Sequence, residues 1–225
     1  MSSDLDSQVD AAEQEWLECV KRGPTRVAWS NLPSQVGDPA PDTTLRDSSG
    51  RSVNLSDFWR DRPALIIFWR HYGCGCGFDR ATRLQKEYEG YTSAGANVVV
   101  VGQGEPERSG AYAQKYGLPC PILCDPDFVA YEAYGLLEGK PSQVLYDAPE
   151  EFLRGDYDAF LDLAKARREA GRPMADSPWQ LPGEFIVDRT GAIRLAYRYQ
   201  YCEDFPNPLV LQAAVREAVS ESGGS

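Results

Sequence analysis

Apolar runs with almost no polar interruption alternate with amphipathic stretches through the middle of this chain. Ala64-Leu-Ile-Ile-Phe-Trp69 and Asn97-Val-Val-Val-Val101 are such runs, the pattern of strands covered on both faces of a parallel sheet. Between them Phe78, Ala81, Leu84, Tyr88 and Tyr91 recur at helical spacing, closed by Gly95. A helix from Glu107 to Tyr116 stops at Gly117, Pro121 to Cys124 predicts a short strand, and Asp127 to Tyr134 predicts a helix ending on Gly135. The βαβαβα alternation predicts an α/β fold with a mainly parallel sheet.

The flanks follow other patterns. Val9, Ala12, Trp16 and Val20 form a helical stripe with Cys19 beside it, stopped by Gly23-Pro24. The stretch to Pro41 is rich in Pro, Ser, Gly and Asp and reads as an extended lead-in. Thr43 to Leu45 and Ser52 to Leu55 flank a glycine-bearing turn as a hairpin, and Ser56 to Trp59 forms one helical turn. Residues from about 138 to 180 break the alternation with a polar amphipathic helix carrying Phe152, Phe160, Leu161 and Leu163, then a loop with Gly171, Pro173, Pro178 and Trp179. This segment is too small for a strong core of its own and is expected to pack on the sheet as an insertion. Glu184 to Asp188 and Ala192 to Tyr199 form a second hairpin, with Ile193, Leu195, Tyr197 and Tyr199 on one face and Arg194 and Arg198 on the other. Leu209 to Val219 is a closing helix. The expected organisation is an N-terminal helical extension over 1–35 and one domain over 36–225.

Composition narrows the function. With 225 residues, 42% hydrophobic and 25% charged, the chain suits an ordinary globular domain. A formal net charge of −11 argues against a nucleic-acid partner, which needs clustered Lys and Arg. The first residues carry neither a basic region nor an apolar core, and no run approaches the ~18 apolar residues of a membrane span, so a cytoplasmic location is expected. Six cysteines in a chain of this length are too few for a disulfide-dense scaffold, and the paired spacings Cys74/Cys76 and Cys120/Cys124 read as redox or metal chemistry.

Cys74 and Cys76 sit where the first buried strand ends and an amphipathic helix begins. Unpaired N–H groups at a helix start stabilise a thiolate, the nucleophilic form of cysteine. Arg70 and His71, the chain's single histidine, lie just upstream. The segment therefore holds a nucleophile in Cys74, a resolving thiol in Cys76, a proton acceptor in His71 and a cation in Arg70. Two readings compete with redox chemistry: inert packing of buried thiols, and metal binding through Cys74, Cys76 and His71, for which a closed zinc site would need a distant fourth ligand.

Val36-Gly-Asp-Pro-Ala-Pro-Asp42, the hairpin with Asp47 and Gly50, Leu55-Ser-Asp-Phe58, the strand–cysteine turn, Leu118 to Pro126 and Pro182-Gly-Glu-Phe-Ile-Val-Asp188 together resemble the AhpC/TSA peroxiredoxin-like branch of the thioredoxin superfamily. The resemblance spans roughly residues 36 to 220 without the insertion. It implies a thioredoxin-like fold, a central mixed sheet flanked by helices, with a helix and hairpin extension at the N-terminus and a helical insertion. It also implies thiol-based redox chemistry with Cys74 in the peroxidatic position. Peroxide-reducing relatives carry a Pro and a Thr where this chain has Ile67 and His71, and an Arg where it has Pro182; weak peroxidase activity is the expectation. Pro182 resembles the cis-proline that shapes the partner groove of thioredoxin-type oxidoreductases, against the alternative of a trans proline opening a strand. The peroxiredoxin-like-2 relatives have Cys-x-x-Cys, with Gly77 here at their second cysteine. A disulfide closed over a single glycine is strained and therefore more oxidising.

The remaining candidates are weaker. Trp69, Pro182 and Arg198 are assigned to a substrate groove, although Arg198 also reads as a solvated surface charge. Cys124 ends its strand at the edge where open α/β sheets place their sites, and Cys202 follows the last strand; either could resolve Cys74 or Cys76. Cys120 and Cys124 stand too far apart along a strand to bridge each other, and Cys19 is expected to be packed. Protonated His71 would stabilise the Cys74 thiolate. Nothing suggests a cofactor. The sequence points to a thiol–disulfide oxidoreductase acting on a thiol, disulfide or peroxide, with a thioredoxin or low-molecular-weight thiol as electron donor and a homodimer as one assembly. A metal-delivery module and a specialised biosynthetic redox enzyme are the alternatives.

Overall fold

The computed structural model describes residues 2–221. Its centre is one seven-stranded sheet in the order β2-β1-β5-β4-β3-β6-β7. The strands are β1 (Thr44–Asp47), β2 (Ser52–Asn54), β3 (Ala64–Phe68), β4 (Asn97–Gly102), β5 (Ile122–Cys124), β6 (Gly183–Val187) and β7 (Ile193–Arg198). β3, β4 and β5 run parallel, while β6 pairs antiparallel with β3 and β1 antiparallel with β5. The sheet is therefore mixed, with the parallel trio inside it.

The alternation along β3 divides the core in two. Leu65 and Ile67 face one side with Val98 and Val100; Ala64, Ile66 and Phe68 face the other with Val99 and Val101. Every β3 residue is buried, and each fully buried aliphatic contributes about 1.5–3 kcal/mol. The first face is covered by α2 (Gly75–Ser93) and α8 (Pro208–Glu221), whose Leu84, Tyr91, Leu211 and Val215 are all fully buried. The second is covered by the helical turn Leu55–Phe58 and by α4 (Val129–Ala133), through Leu55, Tyr131 and Tyr134. α3 (Pro106–Lys115) packs beside β5.

Both edges are managed. The β1–β2 hairpin closes one, and the lead-in lies along the other, where Gly37 donates to Ile193 O and Ala40 to Gly191 O. Arg198 ties the lead-in down by donating to Ser34 O and Tyr134 O.

The insertion departs from the expectation that it packs on the sheet. Its helices α5 (Pro141–Val144), α6 (Glu150–Leu153) and α7 (Tyr157–Glu169) gather instead against α1 (Ser2–Arg22). A separate core of Trp16, Leu17, Phe160, Ala164 and Met174 results. Both sheet faces are already filled, so the apolar stripe of α1 and that of α7 cover each other.

Two devices fasten this layer to the sheet. Arg108 on α3 forms a buried ion pair with Asp176, whose other oxygen accepts from Tyr72 N–H at 3.3 Å. Gly73 allows the second: a Cβ there would lie 2.8 Å from Met174 Cα and 2.9 Å from Pro173 O, so the chain before the cysteines presses directly on the insertion's return.

Arg108→Met would leave Asp176 charged and buried without its partner, and should cost about 3–5 kcal/mol in urea unfolding. The double change Arg108→Met/Asp176→Asn should recover part of that loss; a single variant as stable as the parent would show that the pair does not anchor the insertion.

Candidate active site

β3 delivers the cysteine turn to the carboxyl edge of the sheet, where open α/β folds place their sites. Trp69 N–H still donates to Val101 O, after which the chain turns, with Cys74 N–H donating to His71 O at 3.1 Å. Cys74 is extended at the N-cap of α2, and no side chain caps that helix. Gly77 lets the first turn approach Trp69 and Tyr112, since a Cβ would come within 3.0 Å of the Tyr112 hydroxyl.

Cys74 and Cys76 are joined as a disulfide, with Cα atoms 5.4 Å apart. Cys76 is buried and Cys74 half-buried, so an attacking group reaches Cys74 first. The pair opens into a cleft of about 460 Å³ between the start of α2 and the insertion. Trp16, Phe160, Met174 and Trp179 supply its apolar wall; Arg70, His71 and Cys202 also line it.

Arg70 is buried, and its Nη1 donates to Gln180 O at 2.5 Å. Burial lowers its pKa to about 10, which leaves it charged at neutral pH. His71 is also buried. Burial first, and then the Arg70 charge, hold its pKa well below 6.5, while a hydrogen bond with the Ala175 backbone pulls the other way. The expectation that protonated His71 stabilises a thiolate is therefore corrected: the imidazole is held toward its neutral form, and the cations on this wall are Arg70 and Arg167. A neutral ring keeps the capacity to accept a proton.

Three other expectations also change. The Leu181–Pro182 peptide bond is trans. Pro182 stands just before β6, its carbonyl accepting from Tyr199 N–H at 3.2 Å, where a residue without N–H is tolerated. Arg198 lies outside the cleft, for its guanidinium is spent on Ser34 O and Tyr134 O and stacks over Phe185. Cys124 does not face the pair; β5 stands two places from β3, about 10 Å away at ordinary strand spacing, and the Cys124 thiol is near Ser109 and Arg46. Cys202 does reach the cleft. Burial raises its thiol pKa and Arg70 opposes that rise. Trp69 is buried, its indole donating to the Tyr112 hydroxyl at 3.0 Å, and with Pro182 it lines a small pocket beside Cys76, Arg70 and Cys202. Cys120 is pushed up to about 12 by burial, and Cys19 is buried in contact with the insertion. Among the described residues no three His, Cys, Asp or Glu side chains gather into a metal-ligating group.

One constellation escaped the sequence reading. Arg80, one helical turn beyond Cys76, forms a buried bidentate pair with Glu184 at 2.9 and 3.2 Å and a second pair with Glu87 at 2.9 Å. Tyr199 donates to Glu184 at 2.7 Å. The signal was present: Glu184 is the one charged residue in the strand Gly183-Glu-Phe-Ile-Val187, and a carboxylate there demands a buried cation.

The AhpC/TSA family model matches residues 36–196 of the chain. Among curated proteins, the chain is 28% identical to Peroxiredoxin Q, chloroplastic, of Gentiana triflora over 73% of its length, and 28% identical to Thioredoxin-like protein AAED1, chloroplastic, of Arabidopsis thaliana over 46%. It spans only 59% and 42% of those two relatives. Among solved structures, peroxidoxin BcpB from Mycobacterium tuberculosis aligns over 81% of this chain and 97% of its own, with a TM-score of 0.58 and 15% identity. A peroxiredoxin-like protein from Aquifex aeolicus aligns over 87% of this chain and 92% of its own, with a TM-score of 0.56 and 15% identity. These likenesses show the thioredoxin-like fold.

Because the folded His71 pKa is depressed, its neutral form contributes stability that is present above the unfolded value near 6.5 and is lost as pH falls below it. The single histidine makes the check direct: its NMR ring resonances should stay those of neutral imidazole well below pH 6.5. A midpoint at or above 6.5 would contradict the buried, Arg70-flanked placement.

Proposed function

The chain belongs to the AhpC/TSA family, and from that premise we propose that it is a thiol-dependent oxidoreductase whose Cys74 and Cys76 cycle between dithiol and disulfide. The observation that carries this reading is the bonded pair at the N-terminus of α2, with the more accessible sulfur facing a cleft. Positive charge from the α2 N-terminus and from Arg70 favours the thiolate of Cys74.

In the reductive direction the Cys74 thiolate attacks one sulfur of a substrate disulfide. A new S–S bond forms, the old one breaks, and its electron pair leaves with the second substrate sulfur, which takes up a proton. Cys76 then attacks Cys74 Sγ, the first substrate sulfur departs as a thiol, and the pair is oxidised to the observed disulfide. A donor thiol, either a thioredoxin or a low-molecular-weight thiol, reduces the pair again by the same exchange. The burial of Cys76 suits the resolving role, since it meets the bond only after Cys74 has reacted. With peroxide in place of disulfide, Cys74 would pass through a sulfenic acid that Cys76 condenses with, releasing water.

On this reading residues 36–225 form the redox domain, residues 1–35 a helical extension, and the segment near 138–180 the outer wall of the cleft. No helix among the described residues is long and apolar enough to cross a membrane. A reducing cytoplasm is the compartment in which such a pair turns over, and a homodimer is compatible with the fold.

Cys76→Ser should trap a mixed disulfide at Cys74, mapped by mass spectrometry after redox titration against glutathione; trapping at Cys202 instead would move the nucleophile. Stopped-flow oxidation of the reduced protein by hydrogen peroxide should be slower than that of a threonine-bearing peroxiredoxin by about 10²–10³-fold, the usual loss for one missing preorganised donor. Equal rates would make peroxide the natural substrate.

A further inference from the structure

The cleft over the cysteine pair is bordered by buried polar atoms without partners. Trp16 Nε1, Arg70 Nε and His71 Nδ1 have no hydrogen-bond partner among the described residues, and all three side chains line this cleft. Trp16 is 1% exposed, Arg70 5% and His71 3%. Buried polar groups in native proteins are nearly always paired, so several unpaired ones around one cavity mark a place where something else supplies the partner. Two of these atoms are donors, and Arg70 adds positive charge to its own.

The rest of the cleft is polarised to match. Its middle is apolar, lined by Phe160, Met174 and Trp179. Its outer part is polar and of mixed charge: Asp79 and Asp147 are exposed, Glu203 is held by the Tyr146 hydroxyl, and Arg167 lines the same cleft close enough to His71 to act on its charge. A molecule that fits has an apolar body of modest size and a hydrogen-bond acceptor at its inner end. Bare hydrogen peroxide would use none of the apolar wall.

We propose that the cleft binds the organic body of a small disulfide, an apolar or aromatic group against Trp16, Phe160, Met174 and Trp179 with an acceptor on Trp16 Nε1 and Arg70 Nε. The proposal rests on the oxidoreductase reading and names its substrate class. The substrate S–S bond then lies beside Cys74, the sulfur that attacks it; the disulfide is reduced to two thiols as the protein pair is oxidised. α1 and the insertion together supply this wall.

The test separates binding from chemistry. A non-exchangeable probe, 4,4′-dipyridyl sulfide, is titrated into the oxidised protein and followed by quenching of tryptophan fluorescence. Saturable quenching is expected. Trp16→Phe keeps the aromatic wall and removes only the N–H, and Leu163→Glu places a carboxylate on the apolar wall from the half-buried face of α7. Each should weaken binding about tenfold, the scale of one lost hydrogen bond or one misplaced charge. In the reduced protein, 4,4′-dithiodipyridine should react with saturation kinetics. Its rate relative to hydroxyethyl disulfide, each divided by the rate of dithiothreitol with the same compound, should fall about tenfold in both variants. Exchange without saturable binding, or binding unaffected by both variants, would overturn the cleft assignment and leave the oxidoreductase reading intact. Saturable binding with no exchange at Cys74 would overturn both that reading and the disulfide as ligand.

Discussion

Strand β3 is hydrogen-bonded on both edges, to β4 and β6, and buried on both faces, and the remainder of the structure is arranged around that constraint. A strand so enclosed leaves its carboxyl end as the one place where the chain must turn out of the core. Trp69 is the last residue to pair with β4. The cysteines follow within one turn, on the first turn of a helix whose opposite end packs back against the same sheet. The position of the cysteine pair is thus inherited from a strand enclosed on both faces and both edges. Loops on rigid scaffolds are where reactive groups are best held.

Buried charge shapes the surroundings of that turn. Arg70, Arg80 and Arg108 are all buried. Arg80 and Arg108 are answered by carboxylates, Glu184 and Asp176. Among the described residues Arg70 has only a carbonyl oxygen, that of Gln180, for a hydrogen-bond partner. The two paired arginines fasten helices to strand and insertion; the third leaves its positive charge uncompensated by a carboxylate beside the cleft. That difference counts, because an unneutralised cation in a low-dielectric wall acts on its neighbours far more strongly than a solvated one, and Cys202 is a thiol on which it bears. It also explains His71, which is kept neutral by burial and by the same cation. The histidine and the arginine are neighbours in sequence; burial drives the ring toward its neutral form, while the guanidinium stays charged at neutral pH.

The insertion converts an open groove into a cleft. In the absence of α1 and α7 the cysteine pair would face solvent across Gly73. Their mutual packing through Trp16 and Phe160, with ring centroids 5.8 Å apart, places aromatic surface opposite the sulfurs. The same packing leaves Trp16 Nε1 buried without a partner. A wall built for stability alone would have little use for an indole there, since phenylalanine fills such space without a polar atom to satisfy.

Much of this was legible in the residues themselves. Uninterrupted runs such as Ala64 to Trp69 and Asn97 to Val101 identify buried parallel strands because a strand covered on both faces has no position left for polar side chains. Glycines at 23, 95, 117 and 135 mark helix ends because each adopts a positive φ there, from 59° to 108°. The location of Cys74 and Cys76 at a strand-to-helix turn followed from those two local rules. What they could not decide was distance and burial between segments far apart in sequence. Arg198 and Cys124 sit at suitable positions along their strands, yet one is consumed by Ser34 and Tyr134 and the other lies two strands away. His71 stands where a charged imidazole would serve the cysteines, and only its burial beside Arg70 turns it toward the neutral form. The insertion read as a sheet-packing element because its own helix shows only that it has an apolar stripe, and which surface remains uncovered is a property of the whole assembly. Local pattern determined the elements and the turn that carries the cysteines; tertiary packing alone decided which charges are buried, which side chains share the cleft, and what kind of molecule can enter it.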